Sequence, residues 1–161
     1  MNYRHYVWML LLIWGCQAAP ANQTESAGSS VALKAILPGK WETVSFQVTV
    51  QSFQNSDSTF VLAVEKGEWE KKLGIQPIQT AYHSDNKFLS EYKNNKDSIV
   101  NNMRGIWNAF GDTLLLITPE ATYQYVAKIN NDQIAFRAML DWDGDGQEDD
   151  EYIGIQKRLK H

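Results

Sequence analysis

Cysteine, histidine and proline are all scarce here: one, three and four residues of 161. A lone thiol, Cys16, allows no disulfide within the chain, so burial alone must hold any folded domain together. The histidines are His5, His83 and His161, two of them near the chain ends. A three-histidine metal site or a Ser-His-Asp triad would have only His83 to build on, and no motif surrounds it. Phosphate-binding glycine loops are missing too. The net charge of −4 excludes the basic face expected of a nucleic-acid binder. No run approaches the roughly 18–20 apolar residues of a membrane-spanning helix. Acids are plentiful, but those near the C-terminus lie in a run expected to be too solvated for general acids, which need a raised pKa. These absences point away from an enzyme. Aromatics are abundant: six Trp, seven Tyr and six Phe, a composition that favours strands.

The N-terminus has its own logic. "MNYRHYVWMLLLIWGC" opens with Arg4 and His5, continues with an apolar run from Tyr6 to Trp14, and ends at Gly15-Cys16. A basic start, a 7–15-residue apolar core and a small residue before the cut describe an export signal. Ile13-Trp14-Gly15-Cys16 resembles the lipobox of bacterial lipoproteins, with Trp14 where a small residue is usual. That resemblance implies removal of residues 1–15 and lipid attachment at Cys16. Two or three acyl chains, each buried methylene adding about 0.8 kcal/mol, anchor almost permanently. Gln17 follows the cysteine instead of Asp, so the outer membrane, facing the periplasm, is the expected address. Cleavage would delete Arg4 and no acid, taking the net charge from −4 to −5. Residues 16–35 begin "CQAAPANQTESAGSS", a small, polar stretch that reads as a tether of about 20 Å reach. "VALKAIL", 31–37, is expected to hold one or two helical turns before Pro38.

From Trp41 the pattern has period two, and residues 36–161 form the expected domain. In "VSFQVTV", alternation puts Val44, Phe46, Val48 and Val50 on one face, and Thr43, Ser45, Gln47 and Thr49 on the other. Further strands are read at 59–66, 78–83, 87–93, 98–107, 113–118, 122–129, 133–140 and 151–158. Turn signals separate most of them: Ser84-Asp85-Asn86, Gly111-Asp112 and Asn130-Asn131-Asp132. "GEWEKKLGIQP", 67–77, is the one long irregular piece, with a helical turn over Glu70 to Leu73 or a loose flap. Eight or nine short strands joined by hairpins predict an all-β fold, an antiparallel up-and-down barrel of about eight strands. A barrel of that size is filled by side chains or holds one small ligand. Phe46, Phe60, Phe88, Tyr123, Tyr125 and Phe136 are among those expected either to line a cavity or to fill it.

Gly39-Lys40-Trp41, at the mouth of the first strand, looks like the G-x-W signature of lipocalins and related calycins. "RGIWNAFGDTLLL", 104–116, and "LDWDGDGQEDDEYIGIQKR", 140–158, resemble the central hairpin and the ending of lipocalin-like lipoproteins of Bacteroidetes-type bacteria. The resemblance spans about 37–160. It implies a lipocalin-like barrel whose closed end is plugged by Trp41 under a cation–π lid from Arg158. It also implies a small apolar ligand, a membrane partner through the lipid, and no nucleic acid.

The last motif is acidic. Seven carboxylates fall between Asp141 and Glu151, with no Lys or Arg among them. Counting from Asp141, Asp143, Asp145 and Asp149 take positions 3, 5 and 9 of a calcium loop, and Gly146 takes the sharp turn at position 6. Two carboxylates about 6 Å apart repel by roughly 0.7 kcal/mol even in bulk water, a cost that a cation would relieve. Tyr152 stands where an EF-hand has its bidentate Glu, and the flanks read as strands. The expectation is therefore a weak structural Ca²⁺ site, of order 10⁻⁴–10⁻³ M, held by Asp141, Asp143, Asp145 and Asp149. The other reading is a hydrated hairpin whose Asp-Gly pairs make the turn. For the whole chain, a lipid-anchored carrier of a small apolar ligand comes first. A non-enzymatic interaction or structural envelope protein with a filled barrel, such as a hydrolase inhibitor, comes second, and a weak hydrolase third.

Overall fold

The computed structural model describes residues 33–53, 56 and 58–160. The expected export signal, 1–15, and residues 16–32 of the expected tether, 16–35, with Cys16, lie outside the described residues. The alternating segments form nine strands: β1 (Gly39–Val50), β2 (Phe60–Val64), β3 (Gln79–Tyr82), β4 (Lys87–Lys93), β5 (Ile99–Phe110), β6 (Thr113–Ile117), β7 (Thr122–Asn130), β8 (Gln133–Leu140) and β9 (Asp150–Arg158). Residues whose short side chains or missing Cβ tolerate a left-handed backbone make three of the turns: Asn86 (φ 66°), Gly111 (φ 65°) and Asn131 (φ 55°).

Every pairing is antiparallel. β1 is the seam. One of its edges pairs with β9 from Trp41 to Thr49; the other is shared, Gly39–Glu42 with β3 and Phe46–Val50 with β2. The circuit β1-β3-β4-β5-β6-β7-β8-β9 therefore closes on itself as an eight-stranded barrel, and β2 is a ninth strand laid on the far half of β1. The up-and-down order expected from the sequence is interrupted only there. The connection from β2 to β3 runs beside the wall and holds a short helix, α1 (Trp69–Leu73), ended by Gly74 in the left-handed conformation. Gln76 N–H bonds to Lys93 O at 2.8 Å, so this segment is tied to β4 and is no loose flap.

One expected face is wrong, and the reason is local. The β1–β9 register shifts between Thr43 and Ser45. A bulge places an extra residue in the strand, so Thr43 turns inward and is buried while Val44 is not. The Val44 carbonyl, displaced from the ladder, accepts the Trp69 indole N–H at 3.1 Å. Left alone, such a carbonyl costs about 1–3 kcal/mol, so the bulge and Trp69 of α1 belong together. Trp69 is also packed on Phe46, with ring centroids 5.4 Å apart.

The hairpin turns 83–86, 111–112 and 131–132 lie at the same end as the start of β1. The end of β1 at Val50 with Gln51–Phe53, the start of β2 at Phe60, and the loops 94–98, 118–121 and 141–149 lie at the other end, which is the rim. Residues 33–36 are helical, and Leu33 and Leu37 are fully buried against Trp41, Phe88, Trp107, Leu114 and Ile134. The tether expected to reach residue 35 therefore gives way to the folded domain by Leu33. A second apolar cluster, Phe46, Val48, Val50, Val64 and Trp69, joins β1, β2 and α1.

Candidate functional site

At the closed end the structure brings Trp41 and Arg158 together. They are opposite each other in the β1–β9 register, and the guanidinium carbon stands 4.7 Å from the Trp41 ring centroid. Trp41 is 2% exposed, and its indole N–H bonds to Leu37 O at 2.8 Å. Arg158 donates to Pro38 O at 3.0 Å and to Ile36 O. The lid thus fastens the helical turn at 33–36 across the barrel mouth. Gly39 has φ 138°, and a Cβ there would sit 2.5 Å from Arg158 Nη1, so only glycine lets the guanidinium lie flat. Nearby, Trp107 donates its indole N–H to His83 O at 2.9 Å, which makes His83 a turn residue by its backbone.

Further along the barrel the inward side chains change in character. Tyr82, packed edge-on to Trp107 of the plug, and Tyr92, Tyr123, Tyr125 and Tyr152 beyond it all turn inward, from β3, β4, β7 and β9. Tyr125 packs edge-on to Tyr152 at 5.9 Å and to Phe136 at 6.1 Å. Tyr152 lies back across Gly154, where a Cβ would overlap its phenol ring. Tyr82 O–H bonds to Gln156 Oε1 at 3.4 Å, and the buried Thr80 and Ser90 hydroxyls share a bond of 2.8 Å. Burial pushes the phenols of Tyr82, Tyr125 and Tyr152 well above the usual tyrosine range, with neighbouring tyrosines adding to it. Yet Tyr125 and Tyr152 keep part of their surface accessible. Accessible surface on an inward side chain faces either the lumen or the open rim of the barrel.

The acidic loop lies at the rim. One carboxylate oxygen each from Asp141, Asp143 and Asp145 come within 4.8 Å of one another. Two oxygens bound to one Ca²⁺ at 2.3–2.6 Å are at most about 5 Å apart, so the spacing of these three fits a shared ion. Asp149 is not in that group. Its carboxyl is pushed up, by partial burial first and then by Asp145 and Asp150. Asp150, the first residue of β9, turns inward and is fully buried. It accepts Trp142 N–H at 2.7 Å, Gln51 N–H at 2.9 Å and Asp143 N–H at 3.3 Å, clasping the 51–59 and 141–149 loops together. Trp142, 45% exposed, stacks on Tyr152 at 6.5 Å, so the loop and the tyrosines share one aromatic wall. A half-open cleft of about 400 Å³ lies beside it, between Val50, Phe53, Phe60 and residues 142–145.

Sequence reasoning identified Tyr123, Tyr125, Phe46 and Phe136 as inward. It also placed Phe88 inward, where it fills the plug; Phe60, expected with them, lies at the rim instead, 43% exposed. It missed Tyr82, Tyr92, Tyr152, Gln156 and Asp150. The signal for the β9 residues was present in the alternation of "DEYIGIQKR", read from its first residue. Neither a scan of protein-family models nor a search of curated proteins returns a match to this chain.

Proposed function

We propose that this is a lipid-anchored envelope protein whose barrel carries a small, largely apolar molecule. In this reading Cys16 bears the lipid after removal of residues 1–15, and the domain stands off the outer membrane, facing the periplasm. The accessible surface kept by the deep Tyr125 and Tyr152 carries the reading, because it gives a ligand space behind a sealed end. Aromatic walls and a handful of polar groups are the usual make-up of such sites. A weak structural Ca²⁺ held by Asp141, Asp143 and Asp145 would relieve their mutual repulsion and stiffen the rim beside Trp142. No arrangement among the described residues supports turnover, and we propose a binding protein with no enzymatic activity.

The test is a native mass spectrum of the protein extracted from bacterial membranes in mild detergent. A retained small molecule, together with a lipid mass that Cys16→Ser removes, is the expected result. A clean mass lacking both would overturn the reading. The alternative, an interaction protein such as a hydrolase inhibitor, has one observation in its favour: Ile106, Phe110, Ile117 and Val126 are exposed on the outer faces of β5, β6 and β7. It would show a bound protein and no ligand.

A further inference from the structure

The barrel interior carries hydroxyls where it could carry charge. On the inward faces of the described strands, the only ionisable groups besides tyrosine are Arg158 and Asp150. Both are already committed. Arg158 is spread over Trp41 and bound to two backbone carbonyls, and Asp150 holds three backbone N–H groups. No lysine or arginine is left to receive an acid inside. A carboxylate brought into such a space would lose its hydration with no cation in return, at a cost of several kcal/mol.

The hydroxyls, by contrast, are on offer. Tyr82 is bonded to Gln156. The hydroxyls of Tyr92, Tyr123, Tyr125 and Tyr152 have no hydrogen-bond partner among the described residues, and among those residues no fully buried side-chain N or O is left unpartnered. These four phenols therefore face space that an atom from outside the described residues can enter. Each can donate one bond and accept others. The Tyr152 ring belongs to an aromatic wall that runs to the rim: Phe46 lies 6.1 Å away at an interplanar angle of 22°, and Trp142 stacks on Tyr152 at 17°. A saturated hydrocarbon would leave the hydroxyls unpaired, and an acid would be rejected for its charge.

We infer that the lumen takes an uncharged, flat aromatic ligand bearing hydroxyl or carbonyl oxygen, of the phenol, quinone or aromatic-ketone class, with Tyr125 and Tyr152 as its hydrogen-bonding partners. This deepens the carrier reading and rests on it. Gly154 and Ala138 are the small residues that make the arrangement possible. Gly154 lies beneath the Tyr152 ring, and Ala138 is opposite Tyr152 in the register of β8 and β9.

Three probes of one shape separate the outcomes: naphthalene, 2-naphthol and 2-naphthoate, titrated at neutral pH against the folded protein by quenching of its tryptophan fluorescence. The expected order is 2-naphthol tightest and 2-naphthoate weakest, at least about tenfold apart. The Tyr125→Phe, Tyr152→Phe double variant keeps both rings and both stacking contacts. It is expected to weaken 2-naphthol by about tenfold, a few-fold for each lost hydrogen bond, and to leave naphthalene unchanged. Equal binding of naphthol and naphthoate would overturn the ligand class while the carrier reading stands. A naphthol preference that survives the double variant would overturn the assignment of the two tyrosines. Failure of all three probes to bind would remove the carrier reading itself, and the inference with it.

Discussion

The two ends of this barrel solve the problem of buried polarity in opposite ways. At the plugged end every polar group is answered from within the chain. The Trp41 indole has Leu37 O, the Arg158 guanidinium has Pro38 O and Ile36 O, and the Trp107 indole has His83 O. Towards the rim, the phenols of Tyr92, Tyr123, Tyr125 and Tyr152 stand in the same barrel without such answers among the described residues. The first arrangement maximises burial and rigidity. The second leaves hydrogen-bonding capacity to be completed by something from outside. Stability therefore concentrates at the plug, and the proposed recognition falls beyond it.

The comparison is easiest to break at the plug. Trp41→Ala removes the largest side chain of the sealed end and the platform for Arg158. It should cost about 3–5 kcal/mol, read from denaturant unfolding. Tyr125→Phe should cost less than about 1.5 kcal/mol by the same measurement, because its hydroxyl has no partner in the described chain to lose. A plug substitution no more costly than the lumen one would erase the distinction.

Alkali should act on the lumen side. The folded-state pKa of Tyr82, Tyr125 and Tyr152 lies above the unfolded value of about 10, so these groups contribute stability that is fully present below about pH 10. Above that, the unfolded chain releases protons that the native one retains, and stability falls as pH rises. Tyrosinate absorbance and far-UV circular dichroism should therefore show a group of tyrosines that ionise only as the barrel unfolds. All of its tyrosines titrating together near pH 10 in a folded protein would contradict this.

The rim clasp is the next largest effect. Asp150→Asn keeps the size but offers one acceptor oxygen where three backbone N–H groups now converge on two. A loss of about 1–3 kcal/mol in thermal or denaturant unfolding is expected. Asp149→Asn removes a carboxylate crowded by Asp145 and Asp150, and should be neutral or slightly stabilising. Calcium is the smallest term. At about 1 mM, a site of 10⁻⁴–10⁻³ M affinity adds roughly 0.4–1.4 kcal/mol, seen as a rise in melting temperature that EDTA reverses. The rise should vanish in an Asp143→Asn, Asp145→Asn double variant; an unchanged melting temperature in the parent would return the loop to the role of a hairpin tip.

The strands were legible because alternation and turn residues agree along most of the chain: β8 matches at both ends and β7 within one residue. What failed was non-local. The bulge at Thr43/Ser45 reversed the faces of Thr43 and Val44, and nothing near them in sequence announces it, since the Val44 carbonyl is satisfied by Trp69, twenty-five residues away. The Trp41 and Arg158 pair was reached through resemblance to lipocalins; spacing alone could not align residues at opposite ends of the chain. In the acidic loop, the spacing of Asp141, Asp143 and Asp145 was readable. The separate duty of Asp150 was not, because it depends on which residue of β9 first turns inward. The tyrosine lining was half visible for the same reason: Tyr123 and Tyr125 share one strand, while Tyr82, Tyr92 and Tyr152 join them only when the barrel closes.

One measurement reads both ends at once. The indole N–H signals of Trp41 and Trp107 report the plug in a nitrogen-15 correlation spectrum, and that of Trp142 reports the rim beside Tyr152. With 2-naphthol added to saturation, the account predicts a large shift at Trp142 and none at Trp41 or Trp107. Shifts at the plug indoles, or an unmoved Trp142, would contradict a barrel sealed at one end and receptive at the other.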